Sequence, residues 1–140
     1  MSATQVLRDE HEGILAMLNV VEAAAFRLRD SKPIPKDLMS NAADFFSGFA
    51  DKCHHGKEED RLFPKMAQYG IPEAGGPIGV MKAEHEHGRA LIRAMRESAT
   101  RYADGDATAT PALVRATLEY VQLLRAHIQK ENQVLFMLAD

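Results

Sequence analysis

The chain has 140 residues, of which 46% are hydrophobic and 26% are charged, and its net charge is -3. This length suits a single domain over residues 1–140 that buries roughly two-thirds of its unfolded surface. No apolar run approaches the ~18 residues of a membrane span, and the absence of a basic cluster argues against a nucleic-acid partner. The N-terminus lacks a secretion-signal pattern and the lone Cys53 forms no internal disulfide, so we expect a cytoplasmic protein.

Apolar residues follow helical spacing throughout the chain, and no segment shows the period-two alternation of a half-buried strand. The spacing predicts helix 1 from about Thr4 to Asp30, with a stripe of Leu7, His11, Ile14, Leu18, Val21, Ala25 and Leu28. Pro33 and Pro35 break the chain after it, because proline removes an amide donor and disfavours helix in the preceding residue. The fold class is therefore predicted to be all-α.

Helix 2 is predicted to begin at about Asp37, and one of its faces changes from apolar to polar and back. Its residues lie four apart: Phe46, Ala50, His54, Glu58 and Leu62. Pro64 is expected to bend or end this helix. The segment 70–76 contains three glycines and a proline, which predicts a loop.

Helices 3 and 4 repeat this arrangement. Pro77 is well placed to open helix 3, whose stripe reads Ile78, Met81, His85, Gly88, Ile92, Met95, Ala99 and Tyr102. Thr110 is predicted to cap helix 4 ahead of Pro111, and the stripe there reads Leu113, Ala116, Tyr120, Leu123, His127, Glu131, Val134 and Leu138. Short loops favour antiparallel neighbours, so we predict an up-down-up-down four-helix bundle.

The chain contains an internal repeat. The pattern His-x-x-Lys-Glu-x-x-x-Leu-Phe begins at His54 and again at His127, 73 residues later, and Glu-His-Glu is centred on His11 and again on His85, 74 residues later. Two copies of one helical hairpin explain the repeat. Alternating helix direction brings all four histidines to one layer, about 10 to 17 Å from the same end of the bundle.

These residues form a candidate metal site. Carboxylates facing a bundle core are costly unless a cation compensates them, and His-x-x-x-Glu presents both ligands on one helical face. A single such pair could equally be a surface contact, but four helices in register favour metal. The predicted ligands are His11, His54, Glu58, His85, His127 and Glu131.

The ligand types favour iron without excluding other metals. Imidazole suits iron, zinc, copper and nickel, carboxylate adds manganese, and a mixed set with bridging carboxylates is typical of a pair of irons. We expect Glu58 and Glu131 to bridge two non-haem iron ions that also share an oxo or hydroxo bridge. Six side chains cannot saturate two octahedral ions, so open positions imply reactivity.

At these residues the chain resembles the hemerythrin-like (HHE cation-binding) family of four-helix di-iron proteins. The pattern of His11, His54-x-x-x-Glu58, His85 and His127-x-x-x-Glu131 covers nearly the whole chain. It differs from the ferritin-like Glu-x-x-His set, whose residues are three apart.

The resemblance is to one branch of that family. The oxygen carriers have a further histidine four residues after the one on helix 3, where this chain has Arg89, and aspartate where Glu131 stands. The chain looks more like bacterial members with four histidines and two glutamates. The resemblance links some of these to repair of iron-sulfur centres and to nitric oxide stress.

These observations leave three functions open. The first is a di-iron protein that reacts with or senses O2, peroxide or nitric oxide, or serves iron-centre repair under stress. The second is reversible oxygen binding for storage or sensing, and the third is a structural bundle that holds zinc. The sequence does not decide whether the chain is an enzyme, and it leaves the oligomeric state open.

Residues near the predicted ligands have plainer interpretations. His55 and His87 are rotated about 100° and 200° from their ligand neighbours on an α-helix, which favours surface positions over an alternative ligand role. Gly88 either leaves a pocket beside the metals or allows close helix packing, and Tyr120 either packs or donates a hydrogen bond near the site. Several glutamates could orient the ligand histidines, but the sequence does not choose among Glu10, Glu12, Glu59, Glu84 and Glu86.

Overall fold

The computed structural model describes residues 3–136 and, within that range, contains helices and short connections but no strand. Helix 1 is Ala3–Arg29, helix 3 is Gly76–Ala103, and helix 4 is Thr110–Lys130 followed by the π-helical turn Glu131–Leu135. Each helix packs against the next along the chain, and helix 4 returns to helix 1. The predicted all-α four-helix bundle is confirmed, although Leu138 lies outside the described residues.

Helix 2 is continuous over residues 38–68 but changes its hydrogen-bonding pattern along its length. It consists of Leu38–Phe45 (α), Phe46–His55 (π), Glu58–Leu62 (π) and Phe63–Gln68 (α). Pro64 therefore does not end the helix. It stands in the first turn of the last α segment, where its missing N–H is not required.

The two other predicted helix starts differ in detail. Helix 3 begins with Pro77 in its first turn, as expected. Thr110 is not the N-cap of helix 4, because the 3₁₀ turn Ala107–Ala109 precedes it directly. Asp106 caps that turn instead, with its side chain accepting a hydrogen bond of 3.0 Å from the backbone N–H of Thr108.

Two apolar clusters lie on either side of the polar layer. The large cluster fills the bundle towards the loop between helices 1 and 2, and includes Leu18, Val21, Phe46, Met95 and Leu113. The small cluster consists of Leu7, Phe63, Met66, Ile78, Met81 and Phe136. On every helix the buried histidine lies between residues of these two clusters. No helix within residues 3–136 has both the length and the apolar character needed to cross a membrane.

Candidate metal centre

The six predicted ligands meet in this polar layer. Every one of them is almost completely buried, with at most 2% of the residue exposed: His11, His54, Glu58, His85, His127 and Glu131. Each of the four helices contributes one histidine, and helices 2 and 4 each add a glutamate one turn later. The bundle therefore brings together the residues that the repeat in the sequence singled out.

Their ligand atoms form two groups. His11, His54 and Glu131 make up the first, and the second contains Glu58, His85 and His127 together with His55. Within each group the potential ligand atoms lie within 4.8 Å of one another. This spacing is compact enough for each group to surround one ion.

The two carboxylates connect the two groups. Glu131 places Oε1 3.1 Å from Nε2 of His11 and Oε2 3.3 Å from Nε2 of His127. Glu58 Oε1 lies 3.7 Å from Nε2 of His54 and 3.4 Å from Nε2 of His85. Each carboxylate thus faces one histidine of each group, which is the arrangement that a bridging ligand requires.

Carboxylates behind the ligand rings fix the orientation of His54 and His127. Nδ1 of His54 donates to Glu10 at 3.0 Å, and Nδ1 of His127 donates to Glu84 at 2.9 Å. Both carboxylates also accept a 2.7 Å hydrogen bond from a lysine, Lys57 and Lys130 respectively. With Nδ1 carrying the proton, Nε2 is left free to face the interior, as metal-binding histidines require.

The other two ligand rings face side chains at repeat-related positions. Nδ1 of His11 lies 2.9 Å from Oδ1 of Asn132, and Nδ1 of His85 lies 3.7 Å from Glu59. Position 132 follows position 59 by 73 residues, the period of the repeat. The pairing of Glu10 with Lys57 and of Glu84 with Lys130 recurs in the same way, so the repeat contained a signal for these partners that sequence reasoning did not use.

The pKa values of the two buried carboxylates shift in opposite directions. Burial, and then the negative charge of Glu131, raise the pKa of Glu58 well above its ordinary value. Burial acts in the same direction on Glu131, but the neighbouring Glu58, the charge of His127 and the contact with Nε2 of His11 hold its pKa well below the ordinary value. The pair therefore holds one negative charge more readily than two.

The pKa values of three of the imidazoles also shift in different directions. Burial, followed by the neighbouring His11, lowers the pKa of His54 to about 4, and burial with the nearby His55 and His127 lowers that of His85 to about 2. Burial also disfavours the charged form of His127, but Glu131 and Glu84 raise its pKa to about 9. Nε2 of His127 lies 3.1 Å from Nε2 of His85.

The donor set fits a pair of cations. Within the described part of the chain, four inward-facing atoms of the layer are buried without a hydrogen-bond partner: His54 Nε2, Glu58 Oε1, Glu58 Oε2 and Glu131 Oε2. Unpartnered buried carboxylate oxygens are expensive. Coordinated cations would satisfy all four atoms, because each belongs to a residue of the two ligand groups.

His55 is not at the surface, contrary to its prediction. It is 5% exposed and its ring stacks on His85, with centroids 3.9 Å apart and an angle of 16° between the planes. The prediction assumed α-helical rotation, whereas His55 lies at the end of the π segment. A wider π turn rotates successive residues by less than about 100°, so neighbouring histidines can both face inward. His87 is exposed, as predicted.

A cavity of about 170 Å³ adjoins the site beside His55 and His85. Its lining includes His55, His85, Gly88, Arg89 and Tyr120. A Cβ atom on Gly88 would lie 3.5 Å from the ring of Tyr120, which is ordinary packing distance. Gly88 thus borders a cavity, and close helix packing does not by itself require a glycine at this position. Tyr120 packs at 4.8 Å against the ring of Phe46, and burial raises its pKa.

Comparisons with known proteins show which proteins this chain is similar to. The chain is 29% identical over 131 residues to the iron-sulfur cluster repair protein YtfE of Escherichia coli (strain SMS-3-5), covering 91% of this chain and 59% of that protein. It is 24% identical over 136 residues to an uncharacterised protein of Mycobacterium tuberculosis (strain H37Rv), covering 97% of this chain and 52% of that protein. The chain thus spans little more than half the length of these relatives.

No solved structure matches the chain. The family described as hemerythrin HHE cation binding domain matches residues 2–139, which is almost the entire sequence. The histidines and glutamates of the polar layer all fall within that match. The chain therefore belongs to the hemerythrin HHE cation-binding domain family.

Proposed function

We propose that this domain holds two non-haem iron ions and uses them to react with or sense small oxidants such as O2, peroxide or nitric oxide, in the service of iron-centre repair under stress. The observation that carries the proposal is the pair of ligand groups joined by Glu58 and Glu131. The relationship to an iron-sulfur cluster repair protein supports the repair role.

The residues that would hold the ions are His11, His54, Glu58, His85, His127 and Glu131. Two six-coordinate ions need more donors than these six side chains supply, even with both carboxylates bridging, so sites for small ligands remain. Bound iron would supply one-electron redox chemistry and coordination of small molecules. The cavity beside His55 and His85 gives a small molecule space next to the layer.

The protein's own contribution is orientation and exclusion of water. Hydrogen bonds from Nδ1 to Glu10 and Glu84 hold two of the rings, and the apolar clusters on both sides keep bulk solvent away. Lys57 and Lys130 neutralise the two orienting carboxylates from the surface. This environment strengthens electrostatic interactions inside the layer.

Metal analysis tests the proposal directly. Protein purified from iron-supplied cells should contain two iron ions per chain, whereas His54→Ala and Glu131→Ala should lose iron. His87→Gln, an exposed histidine on helix 3, serves as the matched control and should retain both ions. Two irons per chain in both ligand variants would contradict the assignment, and zinc in place of iron would favour a structural role.

Exposure of the reduced protein to air separates redox reaction from oxygen carriage. Arg89 occupies the position of the additional carrier histidine, and its guanidinium is engaged by Asp51 and Glu59. We therefore expect the optical spectrum to change irreversibly. An air-induced absorption band that disappears under vacuum would instead support reversible oxygen binding.

A further inference from the structure

The internal repeat relates two faces of the polar layer, and these faces differ in charge. On helices 2 and 3 the charged face consists of Asp51, His55, Glu59 and Arg89. The repeat-related positions on helices 4 and 1 form the neutral face: Leu124, Ile128, Asn132 and Leu15. Burial of polar groups costs free energy, so the charged face is less favourable to bury than the neutral face.

The polar groups of the charged face are organised around two histidines. Arg89 Nε donates to Asp51 at 2.8 Å, and Arg89 Nη2 donates to Glu59 at 2.6 Å. Asp51 lies 3.6 Å from Nδ1 of His55, and Glu59 lies 3.7 Å from Nδ1 of His85. Arg89 also pairs with Glu86 at the surface.

The surroundings of His55 resemble those of His54 and His127, although Asp51 lies 3.6 Å from Nδ1 of His55, whereas the carboxylates behind the other two rings lie at 3.0 and 2.9 Å. Behind His54 and His127 stand a carboxylate and then a lysine. Behind His55 stand a carboxylate and then an arginine. A carboxylate anchored in this way directs the Nδ1 proton outward and leaves Nε2 as a donor to metal.

We infer that His55 is a fifth histidine ligand, and that it binds the ion held by His85 and His127. This inference rests on the proposed two-iron site. One ring nitrogen of His55 already lies within 4.8 Å of ligand atoms of Glu58, His85 and His127. One ion would then be held by three histidines and the other by two.

Binding requires the His55 ring to turn. Two rings stacked at 3.9 Å cannot both direct an in-plane lone pair at one ion. Nδ1 of His55 lies 3.6 Å from Asp51, which is longer than a hydrogen bond. Rotation of the His55 ring therefore breaks no hydrogen bond with Asp51. The adjoining cavity of about 170 Å³ provides room for the movement.

The number of ligating histidines can be counted in the intact protein loaded with two Co²⁺ ions per chain. Each imidazole that binds cobalt through Nε2 contributes one exchangeable, paramagnetically shifted Nδ1–H proton resonance. We expect five such resonances. Four resonances with two bound cobalt ions would overturn the role of His55 and leave the two-ion site intact, whereas absence of bound cobalt would overturn both proposals.

A substitution provides the second measurement. His55→Gln should remove one of the five resonances and release one of its two ions to a chelator about 10-fold faster or more, while the His87→Gln control keeps all five. Retention of all wild-type resonances in His55→Gln would overturn the inference. If His55→Gln does not fold, the count on the wild-type protein decides alone.

Discussion

The charged and neutral faces of the polar layer occupy equivalent places in two copies of one hairpin, yet they are built differently. The ligands, together with the Glu10–Lys57 and Glu84–Lys130 pairs, are the same in both copies. The residues flanking them are not, since His55 corresponds to Ile128. Divergence beside unchanged candidate ligands indicates that the repeat specifies where these ligands lie, whereas the flanking residues give the two sides of the layer a different chemical character.

The largest expected effect comes from placing a histidine in the neutral face. Ile128 is 2% exposed, and the positions equivalent to Asp51 and Arg89 are leucines, so Ile128→His buries an imidazole without a carboxylate behind it. We expect a loss of about 2–4 kcal/mol in the free energy of unfolding of the metal-free protein, measured by urea denaturation. Ile128→Val, the control, should cost only about 1 kcal/mol; equal losses would contradict the comparison.

The reciprocal change makes the charged face resemble the neutral one. Arg89→Leu introduces the residue of the repeat-related position 15 and leaves Asp51 and Glu59 without their cation. Unfolding free energy should fall by about 1–3 kcal/mol, because both carboxylates are partly buried. Arg93→Leu, an exposed change on the same helix, should stay within about 0.5 kcal/mol. Similar values for the two variants would show that Arg89 carries no special role.

The shared parts of the two hairpins should respond equally. Glu10→Gln and Glu84→Gln each weaken the carboxylate that orients a ligand ring, and each should reduce iron affinity by about 10-fold or more in a chelator competition. The exposed Glu12→Gln is the control and should leave affinity unchanged. A large effect from one substitution and none from the other would break the proposed equivalence.

The smallest effect concerns the surface of helices 1 and 4. Arg125 donates hydrogen bonds of 2.6 and 2.9 Å to Glu22, and these hold the pKa of Glu22 below its ordinary value of 4.5. The stabilisation is therefore present above pH 4.5 and lost as pH falls through the lowered pKa. At pH 7, Glu22→Gln should lower the free energy of unfolding by at most about 1 kcal/mol, as measured by thermal unfolding.

The difference between wild type and Glu22→Gln should shrink in acid and in concentrated salt. A difference that persists unchanged at low pH would assign the effect to packing and not to charge.

The sequence was sufficient to predict the four helices and the convergence of six ligands. The repeat made this possible, because residues 73 or 74 apart had to occupy equivalent places in two hairpins. Once the hairpins pack antiparallel, His11 and His85 reach the level of His54 and His127 without further information. The burial of all four rings agrees with that reasoning.

The π segments explain what sequence reasoning missed. A pattern spaced by four residues fits an α-helix, and nothing in residues 46–55 marks the wider turn that brings His55 inside. Pro64 was expected to bend or end helix 2; it does not end the helix, and the hydrogen-bonding pattern changes from π to α just before it. The partners Asn132 and Glu59 depend on side-chain directions that helical spacing alone does not define.

The small apolar cluster has a consequence for how ions would enter. Among the described residues it contains six buried side chains, and two of them, Phe63 and Phe136, lie against the rings of His85 and His11. Local opening costs less free energy where fewer apolar contacts are broken. We therefore expect the helices around the small cluster to separate briefly while the large cluster stays folded, so that iron enters between them. Amide exchange in these helices should then slow once the metal is bound.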